Sequence, residues 1–209
     1  MNNLILLRHG QSQWNLENRF TGWKDVPLTE LGILEAKQAG QLMLKNNINI
    51  DLIFSSFLQR ANKTAELAIK EMNLINFWKF DELIMTKSEN LNERDYGELV
   101  GLNKEETAKK FGKEQVHIWR RSYDVPPPGG ESLENVVDRV KPYYNKFIAS
   151  ELINGKNILI VAHGNSLRAT MVQAGLYKAE EISNIEIPTG IPFIINYEYG
   201  KVKDSKFLT

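Results

Sequence analysis

The sequence predicts an α/β fold built on a mostly parallel central sheet. Leu4-Ile5-Leu6-Leu7 and Ile158-Leu159-Ile160-Val161-Ala162 are unbroken apolar runs, the pattern of central strands buried on both faces. Leu52-Ile53-Phe54 is a third such run, and segments with helical spacing separate the three. Strand, helix, strand, helix in succession implies right-handed crossovers and parallel pairing. A chain of 209 residues suits one domain, 1–209, with enough length for a full hydrophobic core.

The elements follow in order. The first strand stops at Arg8-His9-Gly10. Residues 11–28 are polar and irregular around Trp14, Phe20 and Trp23, which reads as a structured functional loop with its aromatics packed beneath. Thr29 caps a helix to about Leu44, with Leu31, Leu34, Leu42 and Met43 as its apolar face. After Leu52-Ile53-Phe54, Ser56 and Gln59 have capping-box spacing, and Leu58, Ala61, Ala65, Ala68 and Ile69 form a helical stripe. Phe77 to Phe80 suggests a strand, and residues 84–98 read mostly as loop. Helical patterns resume at Lys104–Phe111 and Glu114–Arg121. Pro126-Pro127-Pro128-Gly129-Gly130 makes a stiff link and then a turn. Ser132 opens a helix with Leu133, Val136, Val137, Val140, Tyr144 and Phe147 on one side. Pro142 either kinks it or starts a second helix. Leu167, Met171 and Ala174 form a further helix stopped by Gly175, and Phe193 to Tyr197 is a late strand. There is no tandem repeat.

Composition removes several function classes. Lys plus Arg and Asp plus Glu both number 26, so the basic excess of a nucleic-acid scaffold is missing. With no Cys there is no disulfide framework or thiolate site. No G-x-G-x-x-G follows the first strand and no P-loop motif occurs, which disfavours dinucleotide and NTP sites. No two His stand at i and i+4 around a Glu, so the expected chemistry is metal-free. The first apolar run is too short for a signal peptide and precedes its charges, and no run approaches a membrane span; the default location is the cytoplasm.

The chemical signal is an echo. Leu6-Leu7-Arg8-His9-Gly10 and Ile160-Val161-Ala162-His163-Gly164 are both buried strands that end in His-Gly. Ligands of open parallel sheets sit beyond the carboxyl ends of the strands. Neighbouring strands would therefore set His9 and His163 across one crevice. Arg8 adjoins the first, and Arg60 stands in the first turn after Ser55-Ser56. Guanidinium groups suit bidentate anion binding, and an imidazole can carry a phosphoryl group. Arg60 reads equally as a solvated helix residue. A proton carrier is needed as well, and spacing leaves Glu93, Asp95 and Glu98 open. Lys104, Arg120 and Arg121 are further cations, and Arg120-Arg121 fit either a lid that closes on an anion or a plain basic helix end.

Together these motifs resemble the cofactor-dependent phosphoglycerate mutases of the histidine phosphatase superfamily. The resemblance spans nearly the whole chain. It rests on Leu7-Arg8-His9-Gly10-Gln11-Ser12, Asn15, Arg19-Phe20-Thr21-Gly22-Trp23, Ser55-Ser56, Arg60-Ala61, Leu91-Asn92-Glu93-Arg94-Asp95-Tyr96-Gly97, Gly101-Leu102-Asn103-Lys104, Trp119-Arg120-Arg121 and Ala162-His163-Gly164-Asn165-Ser166-Leu167-Arg168. It implies the three-layer form of the fold, with helices on both faces of the sheet, and a lid-like segment at about 88–130. It implies that His9 is the phosphorylated nucleophile, that Arg8, Arg60 and His163 form the phosphate pocket, and that Glu93 moves the proton. Asn15 is similar to an asparagine that also holds the phosphoryl group. Ser12, Thr21, Gly22, Arg94, Tyr96, Lys104, Arg120, Arg121 and Asn165 match positions that bind the rest of the substrate. The implied reaction interconverts 2- and 3-phosphoglycerate in glycolysis and gluconeogenesis. It is primed by 2,3-bisphosphoglycerate and uses no metal.

The implied partners are small anionic phosphoglycerates, with neither nucleic acid nor membrane, and a homodimer stays open. Longer bacterial members carry an extra segment before Glu131-Ser132-Leu133 and a tail beyond the last strand. Without that tail, more bisphosphate hydrolysis is expected here than in a tailed relative. Two rival readings remain: a phosphatase on the same scaffold, disfavoured by the joint presence of Lys104, Arg120 and Arg121, and a non-catalytic phospholigand module, which would not need His9.

Overall fold

The computed structural model describes residues 2–198 and 200–209. In chain order the elements are β1 (Asn2–Arg8), α1 (Gln13–Leu16), α2 (Glu30–Lys45), β2 (Leu52–Ser55) and α3 (Gln59–Glu71). The small strands β3 (Trp78–Lys79), β4 (Glu82–Leu83) and β5 (Thr86–Lys87) follow, then α4 (Lys104–Phe111) and α5 (Lys113–Arg121). The last third holds α6 (Leu133–Tyr143), α7 (Ser150–Ile153), β6 (Ile158–Ala162), α8 (Gly164–Gln173), α9 (Ala179–Ile182), β7 (Phe193–Glu198) and β8 (Lys201–Phe207).

The main sheet runs β5-β2-β6-β1-β7-β8. The first four of these pair in parallel, while β7 and β8 add antiparallel strands at one side. Alternation along the central strands builds the layers. Leu4, Leu6, Ile158 and Ile160 pack with Val136, Val140 and Leu167 on one face. Ile5, Leu7, Leu159 and Val161 pack with Ala39, Met43, Ala61 and Ala65 on the other. Helices therefore cover both faces, as expected. No helix among the described residues is long and apolar enough to cross a membrane.

Several local expectations need correction. Thr29 does cap α2, its Oγ1 accepting the Gly32 N–H. The buried face of α2, however, is Gly32, Ala36, Ala39, Gly40 and Met43, while Leu31 and Leu34 are about half exposed at 49% and 50%. Small residues win because α2 lies close against α3: a Cβ on Gly40 would sit 2.2 Å from the Ala68 carbonyl oxygen. Ser56 and Gln59 form no capping box, since α3 begins after Leu58 with no side-chain cap. Phe77 closes a 3-10 turn, and only Trp78–Lys79 pairs, in a hairpin with Glu82–Leu83. Residues 84–98 hold one short strand, β5, beside β2. Pro142 lies inside α6, and the helix continues into a π-helical stretch, Tyr144–Ala149. The wider turn rotates Phe147 outward and Ile148 inward, so Phe147 does not join the predicted stripe.

The Pro-Pro-Pro-Gly-Gly segment is tied down. The Glu98 N–H donates to the Pro128 carbonyl at 2.9 Å and the Glu131 N–H to the Asp95 carbonyl at 2.9 Å. Gly97, at φ +52°, makes this approach sterically feasible, because a Cβ there would lie 2.2 Å from the Pro128 oxygen.

Candidate active site

β1 and β6 are hydrogen-bonded neighbours in parallel register, with Arg8 opposite Ala162. That ladder delivers His9 and His163 side by side, their ring centroids 5.0 Å apart. Both rings are buried. His9 Nδ1 lies 2.7 Å from the Gly10 carbonyl oxygen, which can only accept, so Nδ1 carries the proton and Nε2 keeps its lone pair. Arg60 Nε donates to that Nε2 at 3.3 Å. Burial pushes the His9 pKa well below its ordinary value, and Arg60 and Arg8 push the same way against the Gly10 bond. Burial does the same to His163, with Arg60, His9, Arg8 and Arg139 adding to it. Both imidazoles are therefore neutral at pH 7.

Arg60 is 1% exposed, which disposes of the solvated-helix reading. Its Nη1 and Nη2 donate to the carbonyls of Lys24 and Gly22 at 3.0 and 2.9 Å. Burial lowers its pKa to about 10, and the guanidinium stays charged. Gly22 reaches the geometry that presents its carbonyl through a left-handed φ of +53°. Arg8 Nη1 donates to the Ile187 carbonyl at 2.8 Å.

Glu93 faces this group. Its Oε1 accepts from the Arg94 N–H at 2.8 Å, the Asn165 N–H at 3.1 Å and Asn165 Nδ2 at 3.0 Å. Burial raises its pKa, but the Arg94 N–H, Arg8, the Asn165 side chain and Arg60 outweigh burial, and the net shift is downward. Among the three carboxylates left open by spacing, Glu93 is the one that lines the cleft.

The cleft has two adjoining lobes that share Arg8, Glu93, Tyr96 and Lys104. The smaller, about 70 Å³, is completed by His9, Asn15, Arg19, Phe20, Thr21, Gly22 and Arg60. The larger, about 260 Å³, adds Arg120, Arg121, Asn165, Arg168 and Glu186. Burial, Arg120 and Arg8 lower the Lys104 pKa against the pull of Tyr96 and Glu93. Among the described residues no cluster of His, Asp and Glu is placed to hold a metal.

Three expected site residues line neither lobe. His163 sits behind His9, and its Nε2 meets Ser56 Oγ at 2.8 Å. This is what Ser56 does in place of a capping box; its Oγ also accepts the Leu58 N–H at 3.1 Å. Ser12 caps α1 and holds Asn15, with its Oγ 2.9 Å from Asn15 Oδ1. Arg94 is fully buried behind Tyr96, donating to the tyrosine oxygen and to the Arg120 carbonyl. Conversely, Arg19, Arg168 and Glu186 line the cleft without having been singled out for it. Arg168 stands one helical turn after Asn165, which was a readable signal. Glu186 pairs with Arg121 at 2.6 Å and had none.

A neutral, buried imidazole whose unprotonated Nε2 accepts from Arg60, flanked by two guanidinium groups and a carboxylate, has the chemistry that phosphoryl transfer through histidine requires. The histidine phosphatase superfamily (branch 1) profile matches residues 4–205, and the chain belongs to that family. A 2,3-bisphosphoglycerate-dependent phosphoglycerate mutase from Methylocella silvestris is 48% identical over 203 residues, covering 97% of this chain and 96% of the relative. A phosphoglycerate mutase from Schizosaccharomyces pombe is 45% identical over 208 residues, covering 100% and 94%. Among solved structures, a mycobacterial glucosyl-3-phosphoglycerate phosphatase superposes with a TM-score of 0.79 at 25% identity, covering 99% of this chain and 97% of the other. A putative alpha-ribazole-5'-P phosphatase from Escherichia coli, at 24% identity and TM-score 0.77 over 99% and 95%, shares the fold.

Proposed function

We propose that this chain interconverts 2- and 3-phosphoglycerate through a phosphohistidine at His9, in glycolysis and gluconeogenesis. One observation carries the reading: the lobe at His9 opens into a second cationic lobe, so a molecule can be held by an anion at each end. The residues fit 2,3-bisphosphoglycerate as primer. Arg8, Arg60, Asn15 and the Thr21-Gly22 turn would hold the phosphoryl group next to His9. Lys104, Arg120, Arg121 and Arg168 would hold the distal phosphate and carboxylate. The primer supplies the phosphoryl group that His9 carries between turnovers. A broad phosphatase has no use for so many cations at the far end.

His9 Nε2 attacks phosphorus as the ester P–O bond breaks, and Glu93 passes a proton to the departing alkoxide oxygen. In the reverse sense Glu93 takes the proton of the attacking hydroxyl. The free carboxylate is ionised, and bound phosphate offsets the cations that keep it so, which readies it to carry a proton. Arg8 and Arg60 neutralise the equatorial oxygens, with His163 backing His9 at a ring separation of 5.0 Å. Excluding water falls to a lid within 88–130. The tie between 95–98 and 128–131 confines its motion to the stretch between them, where α4 and α5 lie.

The test is mutase assay of 3-phosphoglycerate with and without the bisphosphate, together with an acid-labile, base-stable label on His9. Turnover that needs no primer, or an unlabelled His9, would overturn the reading.

A further inference from the structure

We propose that Arg139 and Glu131 are positioning residues for Glu93, gripping from behind the cleft the peptide that carries it. The proposal rests on the reading of Glu93 as proton carrier. Glu93 lies in irregular chain between a single 3-10 turn, Glu89–Leu91, and Gly97. No strand or long helix fixes it, so its backbone needs outside partners.

Arg139, on α6, supplies them. Its Nη1 donates to the carbonyls of Asn90 at 2.8 Å and Glu89 at 3.1 Å, and its Nη2 reaches those of Asn92 at 3.4 Å and Glu93 at 3.5 Å. The opposite edge of the guanidinium meets Glu131, Nε to Oε1 at 2.9 Å and Nη2 to Oε2 at 3.0 Å. Glu131 Oε2 also accepts the Asp95 N–H at 2.9 Å. The ion pair thus holds carbonyls before Glu93 and an amide after it. Trp23 closes the ring: its indole N–H donates to the Glu93 carbonyl at 2.6 Å, and the Arg139 guanidinium lies over its ring at 5.6 Å.

Neither Arg139, Glu131 nor Trp23 lines the cleft; apart from the Arg139 charge, which helps lower the His163 pKa and is kept in Arg139→Lys, their route to the reaction is position. The two charged side chains are only 16% and 21% exposed, beyond the screening that weakens a surface pair. Arginine is specifically required. A planar fork can bind a carboxylate along one edge and carbonyls along the other, which an ammonium cannot.

The clamp matters only where a proton must move, and that gives the test. His9 phosphorylation is followed in single turnover with two donors. With 2,3-bisphosphoglycerate the Nε2–P bond forms, the ester P–O bond breaks, and Glu93 gives its proton to the alkoxide. With 4-nitrophenyl phosphate the same bonds form and break, but the phenolate leaves with its electron pair and needs no proton. Arg139→Gln and Glu131→Gln are expected to slow the first reaction on the order of 10- to 100-fold. They should slow the second by less than about 3-fold, since orientation of phosphorus is untouched. Arg139→Lys should behave like Arg139→Gln, because it keeps the charge and loses the fork. Glu131→Gln keeps the shape of the side chain and serves if Arg139→Gln does not fold. Equal losses on both donors would overturn the clamp and leave a structural role only. Glu93→Gln is the control: it must show the same split between donors. If it does not, the assignment of Glu93 fails, and the clamp fails with it, for a reason visible in that variant alone.

Discussion

The floor of the cleft and its rim are held by different means. His9 and His163 extend from adjacent parallel strands, whose register is set by a ladder running through the apolar core. Lys104, Arg120 and Arg121 sit on α4 and α5, which rest on a satellite cluster of Phe20, Leu99 and Val116. The nucleophile proposed at His9 must be oriented to fractions of an ångström, and the sheet provides that. A rim that admits and releases an anion needs freedom, and a small core permits it. On the proposed reading, the contrast teaches that chemistry and substrate choice are separable here.

The largest expected effect tests that separation. His9→Asn should lower mutase turnover on the order of 10⁴-fold or more, as loss of a covalent nucleophile does. Arg120→Gln should act mainly on KM, raising it on the order of 10-fold through one lost charge-assisted contact. Steady-state kinetics of both variants decide it, and a kcat loss in Arg120→Gln as deep as in His9→Asn would break the comparison. Next, Leu99→Ala should cost about 2–4 kcal/mol within the satellite cluster. Hydrogen exchange should then quicken in residues 104–121 and leave β1 and β6 slow; uniform quickening would show one cooperative unit. On the floor side, Gly10→Ala forces a Cβ to 2.2 Å from the Gly32 carbonyl oxygen. Overpacking of that kind costs about 1–3 kcal/mol, measurable by thermal unfolding.

The smallest effect is on stability against pH. The histidine pKa values are lowered on folding, so below 6.5 the unfolded chain binds protons that the folded one refuses. Stability should fall as pH drops from 6.5 towards the lowered values. Glu93 extends the fall, since the stabilisation from its lowered pKa is complete above 4.5 and is lost as pH drops through the lowered value. Lys104 on the rim has the opposite window: its pKa is lowered by burial, so its cost is relieved as pH rises towards 10.5. Denaturation curves across pH should show the acid limb flattened in His163→Gln and the alkaline limb flattened in Lys104→Met.

The floor was legible because two apolar runs end in the same dipeptide, and parallel pairing converts that echo into contact. The parallel sheet followed from the same runs, and its two helical faces from the family resemblance. The face of α2 was misread because leucines dominate a hydrophobic count, whereas close helix packing selects Gly32, Ala36, Ala39 and Gly40. Ser56 was misread because a local capping pattern competes with a partner as distant as His163. Ser12 and Arg94 share the motifs of the site yet stand behind it, holding Asn15 and Tyr96. The Arg139 network left no mark in the pattern, since its acceptors, Glu131 apart, are backbone carbonyls, which every residue has.

One contact at the floor has a wider consequence. In the unprimed protein the Arg60 N–H occupies the His9 nitrogen that would attack phosphorus. A lone pair engaged in this way is shielded from neutral electrophiles, including stray acylating agents. A negatively charged visitor can draw the guanidinium to itself and so bare the nitrogen. On the proposed reading, discrimination against uncharged esters would begin before docking, as a guarded ground state that the cargo itself unlocks.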